Sequence, residues 1–125
     1  MTDLSQWKVM LVDDEPDSLN LLADILALNG AQVYRAGSSA ECLDMLQTID
    51  PTLIVLDLAM PRPDGWELLS HIRANLRLAG VPVVAVTAYY STRVAEEALE
   101  AGFDAFFPKP IRAAEFIDRL AEVVG

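Results

Sequence analysis

Three aspartates follow apolar runs in this sequence, at positions where a carboxylate is costly to desolvate. Asp13 and Asp14 come after the run 8–12, and Asp57 interrupts the stretch LIVLDLAM, residues 53–60. Carboxylates that meet at one point repel each other and attract a hard divalent cation such as Mg²⁺, which prefers oxygen ligands and keeps several waters. A carboxylate beside such an ion can act as a nucleophile toward a phosphoryl group. These residues therefore indicate phosphoryl chemistry, with Asp57 as the acceptor, if the fold brings them together.

A threonine and a lysine complete this set. Thr87 follows the apolar run 82–86, and Lys109 follows the run 105–107. A lysine ammonium neutralises phosphoryl oxygens as charge moves, and a hydroxyl can hydrogen-bond the bound group. Taken singly, Thr87 is an ordinary β-branched strand residue and Lys109 a solvated lysine, while the first two aspartates would suit a helix N-terminus. Their joint occurrence at strand ends favours a phosphoryl site.

The strands that precede these residues alternate with helices, which predicts an α/β fold. The middle strands are continuously apolar, as in a parallel sheet covered on both faces. The strand at 32–36 is mixed in polarity and is expected at a sheet edge. We therefore predict an open, doubly wound, five-stranded parallel sheet with five helices. Such sheets bind ligands outside the carboxyl ends of their strands. The predicted strands are 8–12, 32–36, 53–56, 82–86 and 105–107.

Helix boundaries and buried faces follow from caps and from apolar spacing. The first helix is predicted over 16–28, and the second from Ser38, which has capping-box spacing to Glu41, to about Gln47. The fourth is predicted to begin after Ser91 and to end at Gly102. The predicted buried positions are Leu21, Leu22, Ile25 and Leu26 in the first helix; Trp66, Leu69, Ile72 and Leu76 in the third; Val94, Ala95, Ala98 and Leu99 in the fourth; and Phe116, Ile117, Leu120 and Val124 in the fifth.

Composition bounds the class of protein. The chain has 125 residues, 53% of them hydrophobic and 22% charged, which predicts one globular domain over 1–125. No signal peptide or membrane-length apolar run is visible. A net charge of −10 argues against binding nucleic acid through a basic surface. The single cysteine, Cys42, is expected to be a small buried hydrophobe, and a reducing cytoplasm fits best.

Four motifs together resemble the receiver domain of bacterial response regulators, the CheY-like family. They are VDDE (12–15), LIVLDLAMPRPDGWELL (53–69), VVAVTA (83–88) and FFPKPI (106–111). The resemblance covers essentially the whole chain. It implies strand order 2-1-3-4-5 and phosphotransfer to an aspartate from a histidine kinase or histidine phosphotransfer protein.

The same resemblance assigns roles to individual residues. Asp14, Asp57 and the backbone carbonyl of Ala59 would contact Mg²⁺ or Mn²⁺ directly, with Asp13 acting mainly through a water. Thr87 and Lys109 would hold the phosphoryl group. Phosphorylation would draw Thr87 inward, Phe106 would turn into the vacated space, and the face formed by the fourth helix, fifth strand and fifth helix would shift. The Lys109–Pro110 peptide is expected to be cis.

Some positions depart from the family pattern. Phe106 stands where the switch aromatic is often tyrosine, so it keeps the bulk and loses the hydroxyl. Ala59 stands where many members carry a polar side chain, and Tyr89 is bulkier than many relatives at its position. These two residues are expected to prolong the phosphorylated state. His71 is expected to be a solvated surface histidine.

Partners follow from the resemblance as well. Receivers meet their histidine-bearing partners with the first helix, where Leu19 and Ala23 lie beside the predicted buried stripe. A downstream protein or output domain would read the switch, and a homodimer is compatible with the sequence. The sequence leaves open whether the chain is a stand-alone receiver or a fragment of a longer regulator.

Two other classes of function are open to a chain of this kind. One is a pseudo-receiver that binds partners without phosphorylation, although such modules usually lose one of the acids or the lysine, all of which are present. The other is an unrelated phosphatase or a flavodoxin-like nucleotide binder. A phosphatase would need further acid/base groups. A nucleotide binder would need a Gly-rich or Ser/Thr-rich phosphate loop after the first strand, where the acidic DDEPD (13–17) stands instead.

Overall fold

Five parallel strands form one sheet in the order β2-β1-β3-β4-β5 in the computed structural model, which describes residues 3–125. The predicted order and the edge position of β2 are confirmed. The third, fourth and fifth strands each end one residue later than predicted, so Asp57 is paired with Val86 and Thr87 with Pro108. Their backbones are thereby fixed by the sheet. The strands are β1 (Lys8–Val12), β2 (Gln32–Ala36), β3 (Leu53–Asp57), β4 (Val83–Thr87) and β5 (Ala105–Pro108).

Five helices connect the strands, with a short 3-10 turn at Leu76–Leu78 after the third. Ser38, Asp64 and Ser91 each accept a backbone N–H of the first helical turn, so these helices begin where the sequence offers a cap. Gly102 ends the fourth helix at φ +113°, a left-handed conformation that favours glycine. The helices are α1 (Pro16–Leu28), α2 (Ser39–Met45), α3 (Gly65–Ala74), α4 (Thr92–Ala101) and α5 (Ala113–Val124).

The sheet separates two apolar cores. One face packs against α1 and α5, and the other packs against α2, α3 and α4. Residues of β1, β3 and β4 alternate between the two cores, which explains why these strands are apolar at every position. Cys42 lies in the second core, where burial raises the pKa of its thiol to about 12. It behaves as the predicted small hydrophobe.

Three helix positions that were predicted to be buried are exposed. Leu21 is 55% exposed, whereas Ala23 is fully buried, so the buried stripe of α1 is rotated relative to the prediction. Leu76 is 92% exposed because α3 ends at Ala74 and the chain then enters the 3-10 turn. Leu99 of α4 is 55% exposed. In α1, apolar residues lie on more than one face, and packing of the helix against the sheet decides which face is buried.

None of the described helices is both long enough and apolar enough to cross a bilayer.

Candidate functional site

Two buried carboxylates and one ammonium group meet at the carboxyl edge of the sheet. Lys109 Nζ donates to Asp13 Oδ2 at 2.9 Å and to Asp57 Oδ2 at 3.1 Å. The three residues come from the ends of β1, β3 and β5, and the strand order places β3 beside β1. Their remaining oxygens bind backbone, since Asp13 Oδ1 accepts from the N–H of Glu15 and Asp57 Oδ1 from the N–H of Ala59. The predicted meeting of polar side chains at the carboxyl ends of the strands is thus observed for Asp13, Asp57 and Lys109.

A third carboxylate makes this cluster strongly negative. Ligand oxygens of Asp13, Asp14 and Asp57 lie within 4.8 Å of one another, and Asp14 is exposed while the other two are buried. Within residues 3–125, the carbonyl of Ala59 accepts no hydrogen bond. Three carboxylates around one lysine leave an excess of negative charge, and the oxygen-only donor set suits Mg²⁺ or Mn²⁺.

Burial and charge shift the pKa values of the two central groups. Desolvation raises the pKa of Asp57 above its ordinary value, although the N–H of Ala59 and the ammonium of Lys109 oppose this shift. Burial alone would lower the pKa of Lys109, but hydrogen bonds and charge from Asp13 and Asp57 outweigh it and leave the pKa raised. Lys109 therefore stays protonated. Among the groups of the cluster, ionised Asp57 is the one whose desolvation opposes folding.

An open cleft lies over Asp57. It has a volume of about 450 Å³ and its walls include Asp14, Ala59, Tyr89 and Lys109. Thr87, at the end of β4, is almost fully buried, and its Oγ1 accepts from the N–H of Tyr89 at 3.2 Å. The hydroxyl is thereby tied to the loop that leads into α4. A small group that enters the cleft would meet a carboxylate, an ammonium and an acidic rim.

The family model for the response regulator receiver domain matches residues 9–121. The chain belongs to this family. It is 37% identical over 117 residues to an "uncharacterized 14.6 kDa protein in sodA1 3′ region" of Leptolyngbya boryana, covering 94% of this chain and 89% of that protein. It is 30% identical to the polar-differentiation response regulator DivK of Brucella ovis, over 94% of this chain and 95% of DivK.

Solved receiver structures share the fold. A response regulator from Desulfuromonas acetoxidans superposes with a TM-score of 0.87 at 26% identity, covering 94% of this chain and 96% of that one. The chemotaxis regulator CheY4 of Vibrio cholerae gives a TM-score of 0.86 at 23% identity, over 98% and 99% of the two chains. This receiver is therefore a component of two-component signalling, which implies a histidine kinase and an output partner. Receivers bind Mg²⁺ in an acidic pocket, and the cluster of Asp13, Asp14 and Asp57 fits such a site.

One glycine, which the sequence reasoning missed, brings α3 close to the end of β3. A Cβ on Gly65 would lie 2.5 Å from the carbonyl oxygen of Asp57 and 2.6 Å from Cα of Leu58, so no side chain fits. The N–H of Gly65 donates to the carbonyl of Leu58 at 3.1 Å. The signal in the sequence was the DG pair at 64–65, in which Asp64 caps the helix that Gly65 starts.

The aromatic residue that the sequence predicts to act in a switch, Phe106, is already buried. Phe106 is 6% exposed and packs in the core shared with α3 and α4, and the ring of Tyr90 lies 5.9 Å from it. The sequence prediction assumed that Phe106 starts outside and turns inward, and the observed starting position differs. The Phe ring has no hydroxyl that needs water, which removes one reason for it to stay outside.

The two residues of α1 that were predicted to contact a partner differ in burial. Ala23 is fully buried and cannot contact a partner, so this part of the prediction is wrong. Leu19 is half-buried against the core, whereas the exposed Leu21 lines a groove of about 400 Å³ together with Ala88, Pro110 and Ile111. The groove shares Glu15 and Lys109 with the cleft over Asp57. His71 is exposed on α3, as predicted.

Two peptide bonds that precede proline are cis. The Lys109–Pro110 bond is cis, as predicted, and the Arg62–Pro63 bond in the loop between β3 and α3 was not predicted.

Proposed function

We propose that residues 1–125 work as one phosphoacceptor receiver, which takes a phosphoryl group onto Asp57 from a histidine kinase or histidine phosphotransfer protein. The observation that carries the proposal is the contact of Lys109 with both Asp13 and Asp57, in a cleft open to solvent. A pseudo-receiver would have no use for a desolvated carboxylate that faces an open cleft, because its burial opposes folding.

The chemistry needs little more than positioning. One oxygen of Asp57 forms a bond to phosphorus while the P–N bond of the phosphohistidine breaks, and the bonding pair returns to the imidazole nitrogen. Lys109 then turns from its carboxylate partners to a phosphoryl oxygen, and the Thr87 hydroxyl donates to another. The acyl phosphate is later lost to water, so the chain catalyses only its own phosphorylation and slow dephosphorylation.

Asp14, Asp57 and the Ala59 carbonyl would hold Mg²⁺, with Asp13 acting mainly through a water. When bound, the ion supplies the positive charge that offsets the clustered carboxylates and the phosphoryl oxygens. The fit rests on the donor set, since three carboxylates lie close together, Lys109 pairs with only two of them, and the Ala59 carbonyl accepts no hydrogen bond within the described residues.

The test is labelling with a small acyl phosphate and Mg²⁺. We expect Asp57→Asn to abolish labelling, while the matched control Asp118→Asn, on the exposed face of α5, is labelled like the wild type. Chelation of the metal should also abolish labelling of the wild type. Undiminished labelling of Asp57→Asn would refute the assignment of the acceptor.

The switch in this proposal runs through the loop between β4 and α4. Drawing the Thr87 hydroxyl toward a phosphoryl group would release the N–H of Tyr89 and shift Tyr90 away from Phe106. The face formed by α4, β5 and α5 would then change by population shift between two packings. Crystal structures of the free and beryllofluoride-bound protein test this step. The same Thr87 and Tyr90 conformations in both would refute it.

The histidine-bearing partner would dock in the groove beside α1. The support is that this groove is apolar, contains the exposed Leu21 and opens into the cleft over Asp57. We expect Leu21→Glu to slow transfer from the partner and to leave labelling by the small donor intact. Leu28→Glu is the matched control, because Leu28 is another exposed leucine of α1 and lies outside the groove. Equal losses with both donors would contradict docking at Leu21.

A further inference from the structure

Four polar side chains in the described part of the chain are buried. They are Asp13, Ser39, Asp57 and Thr87. Three of them belong to the phosphoryl site. Ser39, which is 2% exposed, lies on α2, and its hydroxyl forms no hydrogen bond with those three residues. A buried hydroxyl is retained at a cost unless it is hydrogen-bonded, so its partner indicates what it does.

That partner lies in the loop between β3 and α3. Ser39 Oγ donates to the carbonyl oxygen of Pro63 at 2.6 Å, across 24 positions of sequence. Ser39 is not needed to begin its own helix, because Ser38 is the cap and accepts the N–H of Glu41. The hydroxyl of Ser39 therefore stabilises the loop between β3 and α3 rather than the start of α2.

The backbone of this loop forms few hydrogen bonds of its own, although the exposed side chain of Arg62 donates to Glu67 of α3. Pro61 and Pro63 have no N–H to donate, so its backbone cannot form a continuous set of hydrogen bonds. Its first end is tied to the site, where the N–H of Ala59 donates to Asp57. Its last end is fixed by the cap of Asp64 and by the close approach of Gly65 to the acceptor strand. Ser39 supplies the connection between these ends and a different helix.

We propose that Ser39 is a positioning residue for the metal site. By fixing the Pro63 carbonyl, it holds the loop that carries Ala59, and so it sets the direction of the Ala59 carbonyl toward the carboxylates. The inference rests on the proposed function, since it assigns that carbonyl to Mg²⁺. Groups that hold a metal ligand in position without contacting the metal themselves usually have a large effect on metal affinity.

The experiment is an Mg²⁺ titration of the metal-free protein by calorimetry, with urea unfolding of each variant in parallel. We expect Ser39→Ala to weaken Mg²⁺ binding by about tenfold, the lower end of what such partners contribute. Ser38→Ala is the matched control, because it removes the helix cap and leaves the contact to Pro63. It should unfold at lower urea and keep wild-type affinity for Mg²⁺.

Two further variants separate the outcomes. Ser39→Cys nearly conserves volume but is a weak donor, so it should also bind Mg²⁺ more weakly, and it replaces the alanine variant if that one does not fold. Asp14→Asn should bind Mg²⁺ far more weakly than the wild type. Wild-type affinity in Asp14→Asn would overturn the metal site itself. Wild-type affinity in the folded Ser39 variants, or an equal loss of affinity in Ser38→Ala, would overturn the role of Ser39.

Discussion

A partly buried ionic cluster lies on each side of the sheet, one where the strands begin (the amino edge) and one where they end (the carboxyl edge). The two clusters differ in composition. At the amino edge, Arg73 donates to Asp104 and to the carbonyls of Val81 and Gly102, and Asp104 also accepts from the N–H of Val83. The charges of Arg73 and Asp104 balance there, and their other hydrogen-bond partners are backbone groups. At the carboxyl edge, three carboxylates lie close together, and the one lysine that contacts this cluster is paired with two of them, Asp13 and Asp57.

The difference shows how a structural cluster is distinguished from a chemical one. The amino-edge cluster joins the end of α3 to the turns that precede β4 and β5, and its positive and negative charges are equal in number. The carboxyl-edge cluster leaves an excess of negative charge, keeps an open cleft above it and raises the pKa of its central acid. Imbalance of this kind opposes folding and is typical of sites that await a ligand.

The largest effect should come from removing the single cation of the carboxyl edge. Lys109→Gln keeps a hydrogen-bond donor but loses the charge that faces the phosphoryl group. We expect labelling by a small phosphodonor to slow by roughly 100-fold, as when one charge-stabilising group is lost from an active site. Lys8→Gln, at the start of β1 and exposed, is the control and should label normally. Normal labelling of Lys109→Gln would remove the lysine from the chemistry.

Breaking the amino-edge cluster should affect stability and not chemistry. Arg73→Ala removes the partner of Asp104 and of several carbonyls, so we expect the free energy of unfolding to fall by roughly 2 kcal/mol. The measurement is urea unfolding, with the labelling rate of the folded variant measured at the same temperature. A slowed labelling rate in the folded variant would mean that the two edges are coupled through β4 or β5.

The rim of the cleft should set the lifetime of the phosphorylated state. Ala59 offers no side-chain group to orient an attacking water, and Tyr89 is a bulky side chain in the wall of the cleft. We expect Ala59→Asn and Tyr89→Ala each to lose phosphate faster, by up to about tenfold, which corresponds to ~1.4 kcal/mol of barrier. Phosphate loss is measured under saturating Mg²⁺. Unchanged rates in both variants would exclude gating by these side chains.

The smallest predicted effect is a change in the free energy of unfolding, and the prediction concerns its direction. The pKa of Asp57 is raised by desolvation, so the folded protein binds that proton more tightly than the unfolded chain does. Ionised Asp57 therefore lowers stability, a cost that is absent below the ordinary carboxyl pKa and grows as pH rises through the raised one. In metal-free buffer at neutral pH, Asp57→Asn should be more stable than the wild type, and the difference should shrink on acidification. Urea unfolding checks this, and a less stable variant would contradict it.

The sequence by itself determined the order of elements and the membership of the site. Continuous apolar runs followed by Asp13, Asp57, Thr87 and Lys109 predicted parallel strands whose carboxyl ends carry the chemistry, because all strands of such a sheet end at the same edge. The bounds of β1, α1 and β2 were also predicted correctly, since Pro16, Asn29 and Gly30 mark the turns locally. These features depend on neighbours in sequence.

Tertiary structure decided which face of each helix is buried and which distant groups meet. Leu21 and Ala23 point about 200° apart on α1, and both are apolar, so only the sheet could select between them. The contact between Ser39 and Pro63 spans 24 positions and leaves no local pattern. Phe106 is inside because the core of α3 and α4 has room for its ring and Tyr90 lies over it. Such choices depend on packing between elements, which residue types and spacing do not specify.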